Sequence, residues 1–345
     1  MIKVEMTAEE LLKIIEDYKS PIKQRLDYVL KQQVDFFSGN ENVLNTYKRD
    51  WSFTLMNIVD KHEINKPIQN AYAIYTKEAD KIILTDELYK NFFLSMTCCE
   101  FQLEHALWMT FLAFVFCVSH EMSHLYAGHS QLCKKNKLGM LYNKKTGLSY
   151  FEHQALEIEA DHIAAGRAAE SIANVFLNGD YERIFRYKSK ELFYSDSIKA
   201  ICRFFYYVRY IAKEEKMYQA KIGNMTHPPA FFRCFWSVQG IIEHYNLYFE
   251  DNTKYFLKGF FEDLTNKEIS GEPFLDDNKE KKLDFNMLVD YKKMLHNVYC
   301  MKIENRINKF RRIPFVHEYM NIHNLTHEEY KKNMANFICF SHYFV

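Results

Sequence analysis

The stretch ALWMTFLAFVFCVSHEMSHLYAGHS, residues 106–130, joins a long apolar run to a cluster of three histidines and one glutamate. The run from Ala106 to Ser119 carries no charge, but it is shorter than the roughly 20 residues that a membrane-spanning helix needs. We therefore expect a buried core helix that continues directly into the histidine cluster.

The composition is that of a large, mostly helical globular protein. The 345 residues are 48% hydrophobic and include only 10 glycines and 6 prolines, which predicts a large core and long helices. Lys plus Arg and Asp plus Glu number 45 each, so no net field draws the protein to nucleic acid or to an anionic membrane. Nucleic-acid binding is therefore not expected.

The cysteines and the N-terminal segment predict the cellular compartment. The eight cysteines form no CxxC pair, which is typical of free thiols. The first residues, MIKVEMTAEELLKIIEDYK, lack the basic and then apolar pattern of a secretory signal. These features predict a soluble, cytoplasmic protein without a membrane span.

A change of pattern near Pro67 separates an N-terminal helical region from the rest of the chain. A helix is predicted from about Asn42 to His62, and Pro67 then interrupts the helical pattern. Two short runs follow, Ala71 to Tyr75 and Lys81 to Thr85, with a polar connection between them. They predict a β-hairpin, after which helices are expected to dominate.

The histidine cluster contains the motif HExxH, formed by His120, Glu121 and His124. Histidines four positions apart on an α-helix leave the same face, so both imidazoles can bind one Zn²⁺. The adjacent Glu121 can then reach a metal-bound water as a general base. The motif predicts a catalytic zinc site, because structural zinc has no use for a general base.

Tetrahedral zinc with two histidines and a water still needs one protein ligand, and His129 is the nearer of two candidates. The longer zincin pattern HExxHxxGxxH places a glycine and a histidine farther along the same segment. Relative to that pattern, Gly128 is one position late and His129 is one position early. This mismatch counts against His129 as a ligand.

Glu157, in the segment EIEAD, is the second candidate for the third ligand. Asp161 follows it by one helical turn on the same face, where it can accept a hydrogen bond from the non-ligating nitrogen of a zinc histidine. Neighbouring alanines favour a closely packed helix over an exposed acidic patch. We expect one Zn²⁺ per chain, held by His120, His124 and Glu157.

These motifs resemble those of the gluzincin metallopeptidases, and most closely the CAAX prenyl proteases, the HtpX-type heat-shock proteases and their soluble relatives. The resemblance spans roughly residues 68–240 and its elements occur in the order found in that family. They are NAYA at residues 70–73, HExxHxxxxH at 120–129, ExxAD at 157–161 and THPPAFFR at 226–233.

The resemblance implies a fold and further site residues. The implied fold class is α+β but predominantly helical, a zincin-like core with a small β-hairpin or sheet edge and an HExxH active-site helix. His227 would stabilise the transition state and Arg233 would support the site. The sheet edge would pair with a protein or peptide substrate through residues Asn70, Ala71, Tyr72 and Ala73.

The same resemblance divides the chain into three regions. Residues 1–67 would form an N-terminal helical region, 68–247 the metallopeptidase core, and 248–345 a C-terminal helical region. Many family members span membranes, whereas this chain is predicted not to. The chain is also similar in its HExxH motif, size and mostly helical character to the phage-exclusion peptidase Lit, a soluble, cytoplasmic protein that cleaves a host protein.

Two functions follow from these expectations. The first is a soluble zinc endopeptidase that hydrolyses peptide bonds with a zinc-activated water and Glu121. The second is a zinc-binding scaffold without catalysis, whose added helices bind a partner. The presence of Glu121 favours the enzyme.

Overall fold

The structure is a computed structural model, and it describes the chain in separate ranges. The described residues are 9, 10, 13, 14, 16–18, 24, 50–55, 71–75, 79–84, 86–97, 102–133, 148–211, 227–248, 251–264 and 285–307. Side chains are described for most of the helical residues and for none of the strand residues.

Helices account for most of the described chain, and residues described between 9 and 24 are also helical. The longer ones are α1 Asp86–Thr97, α2 Leu103–Tyr126, α4 Tyr150–Leu177, α6 Lys190–Ile211, α7 Ala230–Tyr248, α8 Thr253–Leu264 and α9 Phe285–Val298. Short helices are α3 His129–Leu132, α5 Asp180–Arg183 and α10 Glu304–Ile307, and a π-helical turn at Tyr299–Ile303 joins α9 to α10.

The predicted α+β class, with its β-hairpin or sheet edge in a zincin-like core, is wrong. The residues whose side chains are described are 88% helical, and no strand or sheet edge is seen among them. The fold is predominantly helical because the long apolar segments pack on one another, and among the residues whose side chains are described the core is formed by these helices.

Three short segments are described by their backbone alone. They are β1 Asp50–Leu55, β2 Ala71–Tyr75 and β3 Ala79–Leu84, in the order β1–β3–β2, with β1 parallel and β2 antiparallel to β3. β1 lies inside the stretch from Asn42 to His62, so the helix prediction is wrong at these six residues. Their alternation of large apolar and small polar residues, DWSFTL, is the period-two pattern of a strand.

Helix α2 is the centre of the core, as its apolar sequence predicts. It packs against α1, α4 and α6, and every residue from His105 to His120 is buried. Among the described helices, α2 is the one long and apolar enough to cross a membrane, but 94% of its apolar window is buried inside the protein. Length and composition alone are weak evidence for a membrane span, since a core helix meets the same criteria.

Helix α4 brings the downstream acidic residues to α2. It begins at a capping box in which Ser149 and Glu152 satisfy each other's backbone N–H groups. The predicted close packing is confirmed, because its alanines at positions 160, 164, 165, 168 and 169 are fully buried. The close approach continues at α7, where a Cβ on Gly240 would lie 3.0 Å from His162 Nδ1. Helix α4 thus packs against both α2 and α7.

Candidate metal centre

Three buried side chains from α2 and α4 converge on one point. His120 and His124 leave the same face of α2, and their Nε2 atoms are 3.1 Å apart. On α4, Glu157 Oε2 lies 3.4 Å from His120 Nε2, and Glu157 Oε1 lies 3.5 Å from His124 Nε2. This buried group could hold a metal ion, and it is the trio of ligands that the sequence predicted.

One carboxylate oxygen in this group lacks a hydrogen bond. Glu157 Oε2 is buried and has no hydrogen-bond partner among the described residues. Leaving a buried charged oxygen unsatisfied costs several kcal/mol, so such atoms are normally paired or bound to metal. This oxygen lies 3.4 Å from His120 Nε2 and 3.5 Å from both His227 Nε2 and Arg233 Nη2, so the guanidinium balances part of its charge, and a cation could bind on the side that faces His120.

The other nitrogen of His120 faces a second carboxylate. His120 Nδ1 is 2.9 Å from Asp161 Oδ1, within hydrogen-bonding distance. Arg233, from the first turn of α7, donates from Nε to Asp161 Oδ2 at 2.7 Å and from Nη2 to Asp161 Oδ1 at 2.8 Å. The arrangement places Asp161 between a histidine and an arginine, with both of its oxygens engaged.

The charges at this centre are strongly coupled. Burial alone would lower the pKa of His120, but the carboxylates of Asp161 and Glu157 raise it to about 10. Burial likewise opposes the charge on Glu157, yet His227 and His124 hold the pKa of that carboxyl well below its usual range. Without a metal, a proton on His120 therefore offsets part of the negative charge, and a metal that binds must displace it.

His227 lies at the edge of the same group. Its Nε2 is 3.5 Å from Glu157 Oε2, and its side chain is 23% exposed, more than either histidine of the motif. Burial is the main cause of a lowered pKa at His227, and the charge of Glu157 opposes this. Pro228 and Pro229 follow it and restrict the backbone just before α7 begins at Ala230.

Glu121 is the least buried residue of the HExxH motif. His120, Met122, Ser123 and His124 are all buried, whereas Glu121 is partly exposed. Its charge is also close enough to Cys117, one turn earlier on α2, to add to the effect of burial in raising the pKa of that thiol. A partly exposed carboxylate beside buried imidazoles can exchange protons with solvent, as a general base must.

His129 lies behind His124 and away from Glu157. Its Nδ1 is 2.9 Å from His124 Nδ1, and its Nε2 is 3.0 Å from Glu159 Oε2. Gly128 permits this position, because its left-handed φ of 82° turns the chain sharply after α2. Glu159 was not predicted as a site residue, although it lies within the segment EIEAD. A buried acid two positions from a ligand gives no distinctive sequence signal.

The predicted substrate-binding residues are only partly described. Asn70 lies outside the described residues, and Ala71, Tyr72 and Ala73 lie in β2, where the backbone alone is given. The centre described above therefore consists of helical side chains and His227.

Comparison with known proteins identifies no family. No protein-family model, no curated protein and no solved structure matches this chain. The chemistry of the centre therefore has to be inferred from its own residues and their geometry.

Proposed function

We propose that this protein is a soluble, cytoplasmic zinc endopeptidase of the gluzincin kind, with Zn²⁺ bound by His120, His124 and Glu157. The observation that carries the proposal is the convergence of both HExxH histidines and one distant glutamate on a single buried point. The motif alone is short enough to occur by chance, but chance does not bring a carboxylate from another helix to the same two nitrogens.

The spacing of the nitrogen and oxygen atoms in this group is compatible with zinc. Bonds of roughly 2.0–2.1 Å in tetrahedral geometry place neighbouring ligand atoms about 3.3 Å apart. The two Nε2 atoms are 3.1 Å apart, Glu157 Oε2 lies 3.4 Å from that of His120, and Glu157 Oε1 lies 3.5 Å from that of His124. Two imidazoles and one carboxylate also form a common ligand set of catalytic zinc, whereas calcium and magnesium prefer oxygen ligands alone.

The chain's own residues would divide the chemistry between them. When bound, zinc supplies a Lewis acid that lowers the pKa of water to about 7. Glu121 accepts the proton of the attacking water and delivers it to the amine nitrogen that leaves. His227 donates a hydrogen bond to the oxygen of the peptide carbonyl as negative charge develops on it. Asp161 and Arg233 hold His120 in position.

Burial of the centre supports the scaffold as a second candidate. His120, His124 and Glu157 are only 7%, 5% and 3% exposed, which suits a closed structural metal site. The partly exposed Glu121 favours the enzyme, because a closed structural site gives such a residue no function.

The test compares the wild type with Glu121→Gln, which keeps the size of the side chain but cannot accept a proton from water. Both proteins are loaded with zinc, the metal is quantified, and new protein termini are mapped in a cell lysate. Glu104→Gln is the matched control, since Glu104 lies in the first turn of the same helix and faces Arg186 at 3.2 Å.

We expect one zinc in all three proteins and new termini with the wild type and Glu104→Gln only. The sequences around the cleaved bonds would then reveal the substrate. The same set of termini with Glu121→Gln would reject its catalytic role. Zinc in every protein without any cleavage would support the scaffold.

A further inference from the structure

We propose that Glu159, acting through His129, fixes His124 in the tautomer that can bind a metal. The inference rests on the metal-binding part of the proposed function, but it does not depend on catalysis. It assigns positioning roles to two residues that neither bind the metal nor contact the substrate.

The relay is a line of three buried side chains. Glu159 Oε2 lies 3.0 Å from His129 Nε2, and His129 Nδ1 lies 2.9 Å from His124 Nδ1. His124 then directs its remaining nitrogen, Nε2, toward His120 and Glu157. His129 is fully buried and Glu159 is 1% exposed, so bulk water does not compete for these contacts.

The proton positions follow from what each group can donate or accept. An ionised carboxylate only accepts, so its contact with Glu159 requires a proton on His129 Nε2. A neutral imidazole carries a single N–H, which leaves Nδ1 of His129 as an acceptor. His124 must therefore donate from Nδ1, and its Nε2 keeps the lone pair that a metal needs.

The two metal histidines are thus oriented in different ways by the same helix. His120 Nδ1 faces Asp161 directly at 2.9 Å, whereas His124 reaches Glu159 only through His129. His129 is needed between them because Glu159 is two residues before Asp161 on α4 and so points to a different side of that helix. The turn at Gly128 places His129 between His124 and Glu159.

The relay predicts a defined loss of metal affinity. Removing a residue that orients a metal ligand costs 10–100-fold in affinity in typical sites. His129→Phe removes both ring nitrogens while retaining an aromatic side chain, so we expect a loss of this size with one metal per chain retained. His129→Asn keeps an oxygen that can accept from His124 Nδ1, and we expect its affinity to lie closer to that of the wild type.

His105→Phe is the matched control for removing a buried histidine. His105 is 3% exposed, its Nδ1 lies 3.4 Å from Asp196 Oδ2, and it belongs to the same helix as His120. It precedes His120 by fifteen positions, which places it roughly 22 Å along the helix from that ligand at the helical rise per residue. We expect His105→Phe to lower the melting temperature and to leave the metal affinity unchanged.

The experiment measures affinity for Co²⁺ and Zn²⁺ by competition with a chelator, together with the visible absorption of the Co²⁺ form. An unchanged metal affinity in His129→Phe would overturn the relay. A Co²⁺ spectrum of His129→Phe with one nitrogen ligand fewer than the wild type would also overturn it, because His129 would then be a ligand itself. If the wild type itself binds neither metal, the metal site fails as well, and the two failures are therefore distinguishable.

Nitrogen NMR of zinc-loaded protein, labelled with ¹⁵N at histidine, tests the tautomers directly. We expect His129 to carry its proton on Nε2 and His124 to carry its proton on Nδ1. A proton on His129 Nδ1 would contradict the proposal. A merely structural role for His129 would not fix these protonation states.

Discussion

Arg233 engages both carboxylate oxygens of Asp161, through Nε at 2.7 Å and Nη2 at 2.8 Å, in a buried pair that joins α7 to α4. The guanidinium also lies 5.5 Å from the centre of the Phe205 ring, so it packs against the aromatic core as well. A two-bond fork fixes the orientation of the carboxylate, and Asp161 in turn faces His120. An arginine that does not contact the candidate metal thereby controls one of its ligands.

Replacing that fork by a single charge should weaken metal binding. Arg233→Lys keeps the positive charge but cannot form two parallel hydrogen bonds to Asp161. We expect metal affinity to fall roughly tenfold or more, within the range typical of residues that orient metal ligands. The measurement is chelator competition on the purified variant.

Arg203→Lys is the control for that variant. Arg203 is also buried and its Nε lies 3.3 Å from Asp263 Oδ1, in a separate pair between α6 and α8. Both substitutions should lower the melting temperature, but only the change at Arg233 should alter metal affinity. Equal metal affinities in the two variants would show that Asp161 orients His120 without the two hydrogen bonds from Arg233.

Loss of either imidazole should remove the metal. His124→Ala leaves an incomplete buried site, so we expect the zinc content to fall from one per chain to near zero and the folded state to lose the stabilisation that metal binding provides. His153→Ala is the control, because His153 is buried on α4 beside the site but lies outside the ligand group. Normal zinc in His124→Ala, measured by elemental analysis, would reject the assignment.

His227 should affect the rate of hydrolysis without affecting zinc content. His227→Phe removes a hydrogen-bond donor from the edge of the centre, and loss of one such donor typically lowers kcat by about 10²–10³-fold. Kinetics on a peptide identified from the lysate comparison, with zinc quantified in the same samples, provide the measurement. A parallel loss of zinc would instead identify His227 as a ligand.

The local part of the site was predictable because helix geometry fixes it. His120 and His124 share a face whatever the rest of the chain does, and the alanines after Glu157 correctly indicated a closely packed helix. The selection of Glu157 over His129 needed more than spacing, since both were plausible ligands. The structure brings Glu157 to the imidazole nitrogens and places His129 behind His124.

The remaining features depend on contacts between distant segments. Nothing in the sequence pairs His129 with Glu159, because a buried histidine and a buried acid on different helices carry no common pattern. The fold class was wrong because a family resemblance was allowed to define it, whereas the long helical segments make up 88% of the residues whose side chains are described. At β1 the error was the reverse, because the period-two pattern was read as part of a helix.

A carboxyl group remote from the site predicts a pH dependence of stability. Burial raises the pKa of Asp263 to about 6, although Arg203 opposes this. The folded state holds the proton of Asp263 more tightly than the unfolded state does. Its contribution to the free energy of unfolding is therefore fully present below about pH 4 and is lost as pH rises through about 6.

Asp263→Asn should abolish this contribution. Relative to the wild type, the variant should become more stable as pH rises from 4 to 7, even though it weakens the contact with Arg203 at every pH. Melting temperatures of both proteins at pH 4 and pH 7 provide the measurement. Groups that titrate in both proteins contribute equally to each, so they drop out of the difference in melting temperature between wild type and variant. A difference that is constant with pH would show that Asp263 has an ordinary pKa.

Helix α4 carries the carboxylates of Glu157, Glu159 and Asp161, while α2 and α3 carry the imidazoles of His120, His124 and His129 that lie next to them. Neither half can capture a cation tightly by itself, and more than thirty residues of chain separate His124 from Glu157. A metal that binds this group would therefore be retained only after these helices have docked. Its binding would stabilise a chain whose helices have docked correctly, and a chain with misaligned helices would remain without metal.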